Sequence, residues 1–392
     1  MHEMKDSGNM WIGATPETWK MIPLKYLASY NDEVLSENTD DEFEFDYIEI
    51  GSVQYGRGII YTEHMKFKNA PSRARRIVRK DDIIVSTVRT YLKAVATIPA
   101  CNNSLIASTG FIVIRPHKVL PRFMNYALLS ESFISLVESH STGISYPAIN
   151  SVDVVKFKIP VPCRSEQERI AAFLNAECAE IDAVLGKTRA SIEEYKKLKQ
   201  AVITQAVTKG IFDKQIYPHN VKLKYLLYIA SGDAIRNEEL SEVGKYPAYG
   251  GGESLGFASK YNTLENSLIV GRVGARCGCV TYIDSKAWAT DNALIVHPIC
   301  NPRYMYYMLI YSQLNNLNTS NAQPLITATK IKNVVVPYFL EDTCQRKIVD
   351  FLDEKCACID AIIEKKQQYL TEIENYKKSL IYEYVTGKKE VV

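Results

Sequence analysis

The stretch QERIAAFLNAECAEIDAVLGKTRASIEEYKKLKQAVITQAVTK at residues Gln167–Lys209 decides the fold, because the chain contains it twice. The second copy, Gln345–Gly387, aligns without a gap at a shift of 178 residues, and about 15 of the 43 positions are identical. Random pairing of two such stretches would give far fewer identities. We therefore treat the match as an internal repeat.

Both copies are predicted to be long helices, because neither contains proline and good helix formers dominate each of them. Apolar residues recur in alternating steps of three and four, as in helices that pack knobs into holes. The predicted seam residues are Gln167, Leu174, Ile181, Leu185, Ile192 and Tyr195 in the first copy and Gln345, Leu352, Ile359, Ile363, Leu370 and Ile373 in the second.

Lysines interrupt this seam at the aligned positions Lys199 and Lys377. We expect either a gap in the packing there or the surface of another protein. A continuous helix of this length would extend roughly 60 Å, which is too long for the interior of an ordinary domain. The two helices are therefore predicted to act as a spacer.

Length and composition allow two domains of ordinary size and a connector, since the chain has 392 residues and is 46% hydrophobic. Residues 1–11 carry charges without an apolar core, and no run of about 18 uncharged apolar residues follows. We expect a soluble, cytoplasmic protein that does not contact a membrane.

The nine cysteines predict reduced thiols rather than a disulfide framework. Cys277-Gly-Cys279 and Cys356-Ala-Cys358 lack the second ligand pair of a zinc site, so no metal site is predicted. The net charge of +2 is nearly neutral, whereas a protein that grips DNA unaided is usually more basic.

The residues around the repeat predict a mixed α/β domain that is also present twice. In the first half, β-rich runs alternate with turn-forming residues, and Pro121–Glu138 is predicted to be a single helix with proline at its start. The runs are Tyr47–Ile50, Gly58–Tyr61, Asp82–Ser86, Gly110–Arg115 and Val154–Val161.

Short matches show that the second half repeats this plan. They pair Leu24-Lys-Tyr-Leu27 with Leu223-Lys-Tyr-Leu226, Asp82-Ile-Ile-Val85 with Ser267-Leu-Ile-Val270, Pro121-Arg-Phe-Met124 with Pro302-Arg-Tyr-Met305, and Pro147-Ala-Ile149 with Pro324-Leu-Ile326. The predicted fold class is α/β (α+β), with two similar mixed domains separated by two long antiparallel helices in a pseudo-twofold internal repeat. The predicted boundaries are domain 1 at 1–162, helix 1 at 163–210, domain 2 at 211–340 and helix 2 at 341–392.

Loops that diverge on a shared frame are expected to do the same task on different targets. Two such heads on a spacer suit a linear polymer that carries two short sites, and duplex DNA is the obvious one. Tandem domains that are each followed by an E-Q-x-x-I-x-x-F-L helix resemble the specificity (S) subunit of type I restriction-modification enzymes. Here the motif stands as Glu166-Gln167-Glu-Arg-Ile170-Ala-Ala-Phe173-Leu174 and, with cysteine in place of glutamate, as Cys344-Gln345-Arg-Lys-Ile348-Val-Asp-Phe351-Leu352.

The resemblance covers almost the whole chain, and it implies a function. Each target recognition domain would read one half of a gapped, double-stranded DNA site, and the helices would set the gap and bind methyltransferase (M) subunits, two of them. This chain would hold no cofactor, whereas S-adenosylmethionine, Mg²⁺ and ATP would lie on partner subunits. Whether restriction/translocase (R) subunits also bind stays open.

No catalytic motif is evident in the chain. Asn333–Tyr338 (NVVVPY) lacks the second proline of the N-P-P-Y of adenine methyltransferases, and no G-x-x-x-x-G-K-[ST] is present. Two alternatives nevertheless stay open at this point. One is an enzyme with its own methyltransferase or nuclease activity, and the other is a coiled-coil adaptor that never reads DNA.

Candidate DNA-binding residues come from basic, polar and aromatic loops. Arginine is the usual reader of guanine edges, which favours the loops of Arg89, Arg272 and Arg276. Basic runs can also be solvated faces, polar loops can simply close a domain, and aromatic residues can be buried. The candidates are Arg73, Arg75, Arg76, Ser86, Arg89, Tyr91, Lys93, Ser141, Thr142 and Tyr146 in domain 1 and Tyr249, Arg272, Arg276, Asn292, Asn321 and Gln323 in domain 2.

Overall fold

The computed structural model describes residues 3–101, 103–212, 216–318 and 324–391. The chain divides into two compact units, unit 1 (residues 1–187 and 369–392) and unit 2 (residues 188–368). In the described part of the chain, no helix combines the length and the apolar character that a membrane span requires.

Two long helices dominate the helical content. The helices are α1 (Pro121–Leu129), α2 (Glu131–Ser139), α3 (Ser151–Val154), α4 (Arg164–Lys209), α5 (Pro302–Tyr311), α6 (Ala328–Lys332) and α7 (Asp342–Val385). Helices α4 and α7 have 46 and 44 residues, which confirms the two long helices expected from the repeat. Gly210 and Gly387 lie just beyond their ends with a φ of +72° in each, the left-handed conformation in which glycine commonly ends a helix.

Each unit contains an antiparallel helix pair made from parts of α4 and α7. In unit 1 the rings of Phe173 and Tyr384 are 4.5 Å apart, and Lys377 Nζ lies 2.7 Å from an Asp182 carboxylate oxygen. In unit 2 Lys199 Nζ lies 2.6 Å from an Asp360 oxygen. Because Lys199 and Asp182 are the repeat partners of Lys377 and Asp360, both units hold the same ion pair with the two helices exchanged.

These ion pairs correct one expectation. Lys199 and Lys377 do not mark packing gaps, since each forms an ion pair with an aspartate of the opposite repeat. In unit 2 the Lys366 ammonium lies over the ring of the half-buried seam residue Tyr195, 5.6 Å from its centroid. Polar seam positions are thus filled by charge and cation–π contacts within the chain.

The remaining seam residues lie on the inward faces of the helices. Leu174, Ile181 and Leu185 belong to the core of unit 1, with half-buried Leu370 and Ile373 packed against them. In unit 2 Ile192, Leu352 and Ile359 are buried and Ile363 is half-buried.

The glutamine that opens each repeat is buried and ties the helix to its domain. Gln167 Oε1 accepts a hydrogen bond from the Leu120 amide, and its Nε2 donates to the Pro162 carbonyl, both at 2.9 Å. Gln345 Nε2 donates to the Phe339 carbonyl at 2.7 Å. A buried amide that satisfies backbone groups explains glutamine at this position of the motif.

Unit 1 contains two four-stranded sheets. Its strands are β1 (Met4–Asp6), β2 (Ala14–Pro16), β3 (Lys20–Pro23), β4 (Ala28–Tyr30), β5 (Glu44–Ile48), β6 (Val53–Gln54), β7 (Gly58–Ile59), β8 (Glu63–Lys66), β9 (Ala74–Val78), β10 (Ile83–Ser86), β11 (Val95–Thr97), β12 (Leu105–Ser108), β13 (Phe111–Pro116) and β14 (Lys158–Val161). The first sheet has the order β11-β10-β13-β4, and the second has the order β8-β5-β12-β9 with β5 and β12 parallel. The first sheet packs with α1 and α2 in the core that also contains the helix pair.

Unit 2 repeats the first of these sheets in the same order. Its strands are β15 (His219–Lys222), β16 (Leu227–Ser231), β17 (Leu240–Ser241), β18 (Tyr246–Gly250), β19 (Glu253–Ala258), β20 (Ser267–Gly271), β21 (Val280–Ile283), β22 (Trp288–Ala289), β23 (Ala293–Pro298) and β24 (Val335–Tyr338). The order β16-β23-β20-β21 corresponds to β4-β13-β10-β11, and the second sheet has the order β17-β19-β18-β22.

Two local predictions differ from the structure. The helix expected at Pro121–Glu138 is interrupted at Ser130, which is extended (φ −65°, ψ 144°) and whose hydroxyl donates to the Ala127 carbonyl at 2.7 Å. The run expected at Val154–Val161 begins as the end of α3, and only Lys158–Val161 is a strand. Several strands of unit 1, β9 and β12 among them, lie outside the predicted runs.

Candidate nucleic-acid interface

The two predicted loops of unit 1 lie side by side. The first, residues 87–93, follows β10, and the second, residues 141–148, follows α2. Ile149 N donates to the Thr87 carbonyl at 2.8 Å, and Thr90 Oγ1 donates to Ser141 Oγ at 2.9 Å. Thr142 and Ala148 exchange two backbone hydrogen bonds of 2.9 Å, which close the second loop on itself. We call residues 87–93 and 141–148 surface 1.

The start of the basic strand β9 reaches the same end of the domain. The turn Thr109-Gly110 links Arg73 to surface 1. Thr109 N donates to the Arg73 carbonyl, and Thr87 N donates to the Gly110 carbonyl, each at 2.8 Å. Arg73 itself is exposed. It can therefore extend a basic edge beside surface 1.

Arg75 and Arg76, within β9, are less available for DNA contacts, because they already have contacts or burial inside the domain. Arg75 stacks over Phe67 at 4.9 Å and donates to the Ala74 carbonyl at 3.0 Å. Arg76 is half-buried, its Nε has no hydrogen-bond partner among the described residues, and burial lowers the pKa of its guanidinium. Alternation along a strand places Arg76 on the same face as buried Ala74.

Within surface 1 the candidates differ in exposure. Ser86 is 2% exposed, so its side chain has no surface to offer to DNA, and we leave it out of the interface. Tyr91, Thr142 and Arg89 are exposed, whereas Ser141 is half-buried. Lys93 Nζ lies 3.4 Å from a Glu138 carboxylate oxygen, which partly neutralises it.

Arg89 and Tyr146 form the central pair of surface 1. The Arg89 guanidinium lies over the Tyr146 ring, 5.2 Å from its centroid, and the tyrosine is itself 66% exposed. Beside them Ile144 is fully exposed at the tip of the second loop. Sequence reasoning missed Ile144, although an isoleucine inside a Ser-Gly-rich loop is a recognisable signal, and an exposed apolar side chain can contact a thymine methyl group.

Four segments meet at the corresponding end of unit 2. Arg272 N donates to the Asn292 carbonyl at 3.0 Å, and Ile326 N donates to the Arg272 carbonyl at 2.9 Å. The tip of the β18–β19 hairpin lies against them, since a Cβ built on Gly271 would be 2.5 Å from the Gly251 carbonyl oxygen. We call residues 249–252, 272–278, 290–292 and 324–326 surface 2.

The candidates of surface 2 also differ in their contacts. Arg272 is half-buried and Asn292 is exposed. Arg276 forms an ion pair with Glu253 at the hairpin tip. Tyr249 is half-buried, and desolvation together with nearby Asp284 raises the pKa of its hydroxyl. The predicted residues Asn321 and Gln323 lie outside the described residues.

The two surfaces share one backbone arrangement. A shift of 185 residues aligns Ser86 with Gly271 and Val88 with Val273. Each of these valines forms an isolated antiparallel bridge to the later loop of its unit, Val88 with Ala148 and Val273 with Leu325. Both units thus build the surface in the same way but place different side chains on it.

Among the described residues no group of three or more His, Cys, Asp or Glu side chains is arranged to hold a metal ion. What both surfaces offer instead is a combination of guanidinium, hydroxyl and aromatic groups, to which surface 2 adds the amide of Asn292. Such groups suit contacts to phosphates and base edges.

Comparison with known proteins agrees with this arrangement. A family model described as the type I restriction modification DNA specificity domain matches residues 16–194 and 219–374. The type I restriction enzyme MjaVIII specificity subunit of Methanocaldococcus jannaschii is 24% identical over an alignment of 424 positions that covers 96% of this chain and 94% of that protein. The EcoprrI specificity subunit of Escherichia coli is 21% identical over 338 residues, which cover 80% of this chain and 82% of that protein.

A solved structure described under the heading "Structural basis underlying complex assembly and conformational transition of the type I R-M system" has the same fold. Its TM-score is 0.71 at 22% identity, and the match covers 96% of this chain and 99% of that one. The two matched regions of the family model contain both surfaces and most of each long helix. The chain therefore belongs to the family of the type I restriction modification DNA specificity domain.

Proposed function

We propose that this chain is the non-catalytic DNA-recognition subunit of a type I restriction-modification complex. Surface 1 reads one half of a gapped bipartite site and surface 2 reads the other. The observation that carries the proposal is the duplicated surface, since the same loops meet in both units and present different side chains. A duplicated frame with divergent loops is the arrangement that two different half-sites require.

The side chains of the surfaces suit major-groove readout. Arg89 and Arg272 can each offer a planar fork of donors to a guanine edge, and Asn292 can offer an amide to an adenine edge. Arg73 and Lys93 at the margin of surface 1 suit phosphate contacts, which set register without carrying sequence information. Asn321 and Gln323 remain proposed contacts of unit 2 on the sequence alone.

The near-neutral charge fits a division of labour among subunits. With a net charge of +2, this chain has little excess charge to neutralise phosphates over a long site. We propose that double-stranded DNA is held largely by two methyltransferase subunits, which carry S-adenosylmethionine and the catalytic groups. Any Mg²⁺ and ATP belong to further partner subunits, and the chain works in the cytoplasm.

The long helices are proposed to bind the methyltransferase subunits and to set the gap between the half-sites. Leu198 and Tyr376 are repeat partners, and both are exposed on their helices, at 48% and 55%. Exposed apolar residues at repeat-related positions suit two copies of one partner. The predicted boundaries, with helices at 163–210 and 341–392, define this proposed connector.

The central experiment maps methylated adenines across the genome of a host that carries the complete complex. Arg89→Glu and Arg272→Glu should each relax or abolish one half-site and leave the other unchanged, because a carboxylate repels phosphates and cannot donate to the O6 and N7 acceptors of guanine. Arg57→Glu is the matched control, since Arg57 is exposed in unit 1 outside surface 1. Unchanged methylation in both loop variants would favour the adaptor alternative.

The enzyme alternative has its own test. Incubation of the purified chain with S-adenosylmethionine and DNA should give no methyl transfer until the methyltransferase subunits are added. We also expect weak, salt-sensitive DNA binding by the chain alone and much tighter binding by the complex. Transfer by the chain alone, or full sequence-specific affinity without partners, would contradict the proposal.

The gap can be tested separately. One heptad inserted after Ala190 in α4 and one after Gln368 in α7, which are repeat partners, should retain both half-sites and lengthen the gap. Heptad insertion keeps the seam in register, whereas insertion of three residues at the same points is expected to break it. An unchanged gap in the heptad variant would contradict a ruler role for the helices.

A further inference from the structure

The four-stranded sheets β4-β13-β10-β11 and β16-β23-β20-β21 are the main sheets of the two units, and the loops after β10 and β20 each have two left-handed residues at equivalent positions. Arg89 has a φ of 52° and its equivalent Gly274 a φ of 70°. Four residues later, Lys93 has a φ of 51° and Gly278 a φ of 84°. The loop after β10 and the loop after β20 therefore share a backbone conformation that glycine adopts freely and that strains other residues.

Packing does not explain why the units differ at the first of these positions. A Cβ built on Gly274 would meet no atom within 4 Å, so unit 2 has room for a side chain there. At the second position the case is reversed, because a Cβ on Gly278 would be 2.3 Å from the Asn315 amide nitrogen. Packing thus leaves room for a side chain at Gly274, the equivalent of Arg89. In unit 1 this position is occupied by an arginine in a strained conformation.

The strain places the Arg89 guanidinium where its donors are free. It lies over the Tyr146 ring at 5.2 Å, and it has no hydrogen-bond or ion-pair partner among the residues that the structure describes. Lys93, at the second left-handed position, has Glu138 as a partner at 3.4 Å. A guanidinium that is stacked but not hydrogen-bonded has a fixed plane and an unused donor fork.

We infer that Arg89 is the guanine-reading residue of unit 1, that Tyr146 positions it by stacking, and that unit 2 has given up this position and reads from Arg272 instead. Arg272 occupies the place of Thr87, which is buried in unit 1. The two units therefore read DNA from different positions of one shared loop. This inference rests on the proposed function and adds the role of the left-handed backbone, the positioning partner Tyr146 and the shift of the reading position between the units.

Strain that persists on an exposed loop is expected where it serves a function. A bidentate contact to guanine O6 and N7 requires a fork of defined direction, and a flexible arginine would lose more side-chain entropy on binding. The left-handed backbone sets the direction of the Cα–Cβ bond, and Tyr146 restricts the guanidinium plane. Together they preorganise the reader before DNA arrives.

The test uses the complete methyltransferase complex and its mapped site. Arg89→Ala and Arg89→Gly should both lower kcat/KM for methylation by roughly 5- to 150-fold. Substitution of 7-deazaguanine for guanine in half-site 1 removes the N7 acceptor. It should slow methylation by the wild-type complex and cause no further loss of rate in the Arg89→Ala variant.

The strain is measured by comparing the two substitutions. Both remove the guanidinium, but only glycine relieves the left-handed backbone, so Arg89→Gly should melt about 1–4 °C above Arg89→Ala. Asp81→Gly is the control, because Asp81 is also left-handed (φ 68°) but lies outside surface 1. It should gain stability and keep full methylation.

Tyr146 is tested by conservative rescue. Tyr146→Phe retains an aromatic face and should keep selectivity for guanine in half-site 1, whereas Tyr146→Leu should lose much of it with an unchanged melting temperature. Gly274→Arg should add a guanine preference to half-site 2, since the position is open. An effect of Tyr146→Phe as large as that of Tyr146→Leu would overturn the stacking role.

Three further outcomes would overturn the inference. They are full half-site 1 selectivity in Arg89→Gly, no effect of 7-deazaguanine on the wild type, and equal stability of the Arg89→Gly and Arg89→Ala variants. Failure of the proposed function looks different, because the wild-type complex would then methylate no bipartite site and Arg272→Glu would change nothing. A normal wild type with an insensitive Arg89 therefore refutes only the inference.

Discussion

Unit 1 and unit 2 share their main sheet and differ in the sheet beside it. The order β4-β13-β10-β11 recurs as β16-β23-β20-β21, with every pair antiparallel. In the second sheet β12 has the basic strand β9 on one side, whereas its equivalent β22 is an edge strand among the described residues. Unit 1 therefore carries a row of arginines that unit 2 lacks.

This difference shows which parts of a duplicated fold are free to change. The main sheet packs against the helix pair in each unit, so changes there would disturb a large apolar core. The second sheet of unit 1 has smaller buried clusters of its own outside that core, and the loops lie largely on the surface, where sequence changes cost least. Variation is thus concentrated where a target would be contacted.

The largest loss of stability is expected at Gly278, and it should distinguish this left-handed position from the one at Gly274. Gly278→Ala should lower the free energy of unfolding of unit 2 by about 3–5 kcal/mol, because the new Cβ would collide with the backbone nitrogen of Asn315. Gly274→Ala, with open space around it, should cost only about 1 kcal/mol. Denaturant titration of both variants measures the difference, and equal losses would show that the two positions are not distinct.

The second largest difference is expected between Gln167 and Gln345, the glutamines that begin the two repeats. Gln167→Leu leaves the Leu120 amide and the Pro162 carbonyl without partners, which should cost about 2–4 kcal/mol. Gln345→Leu removes only one bond to the backbone, that to the Phe339 carbonyl, so a smaller loss of about 1–2 kcal/mol is expected.

Exposed Gln205 on α4 provides the control for the glutamine pair. Gln205→Leu should leave the denaturation midpoint nearly unchanged, because no buried backbone group depends on it. Equal losses in Gln345→Leu and Gln167→Leu would mean that the bond from the Leu120 amide to Gln167 adds nothing to stability.

The two repeat-related ion pairs should differ in coupling energy, because their lysines are buried to different extents. The Lys377 side chain is 12% exposed and also donates to the Gly56 carbonyl at 3.2 Å, whereas the Lys199 side chain is 27% exposed. Double-mutant cycles should give a coupling of about 1 kcal/mol for Lys377 with Asp182 and about 0.5 kcal/mol for Lys199 with Asp360. Both coupling energies should fall in high salt. A coupling energy that did not change with salt concentration would contradict an electrostatic origin.

The last comparison concerns the one glycine inside a long helix, where the repeats differ and a gain in stability is expected. Gly186 is exposed, a Cβ there would meet no atom within 4 Å, and the second repeat has Glu364 at this place. Gly186→Ala should therefore stabilise the protein by up to about 1 kcal/mol, measured by thermal melting. Gly210→Ala should do the opposite, because that glycine ends α4 with a φ of +72°. A destabilising Gly186→Ala would mean that the helix needs flexibility there.

The elements that could be predicted from the sequence are those with a strong local period. Helices α4 and α7 follow from helix-forming composition and seam spacing, and β10 follows from a short apolar run. The break at Ser130 could not be predicted, because the apolar period of α1 runs on into α2. Strand β9 could not be predicted either, because a run of arginines reads as a solvated face until the edge of β12 is available to pair with it.

The candidate site divides in the same way. Arg89, Arg272 and the loop at 141–146 were recognisable as residue types, since an exposed arginine or a polar loop can be identified without coordinates. Which of them are exposed, stacked or paired was not recognisable, as buried Ser86 and the Arg276–Glu253 pair show. Those properties depend on neighbours that are distant in the chain.

The amino-acid order by itself determined that this protein is a doubled object with two long helices and belongs to a DNA-specificity family. That information is local and repeated, so a helical period and a motif are enough to carry it. Only the tertiary structure decided that Lys199 and Lys377 pair with aspartates, that two loops per unit meet on one surface, and that Arg89 is held in a left-handed conformation over Tyr146. Each of these features arises from contacts between distant segments, and such contacts exist only once the chain has folded.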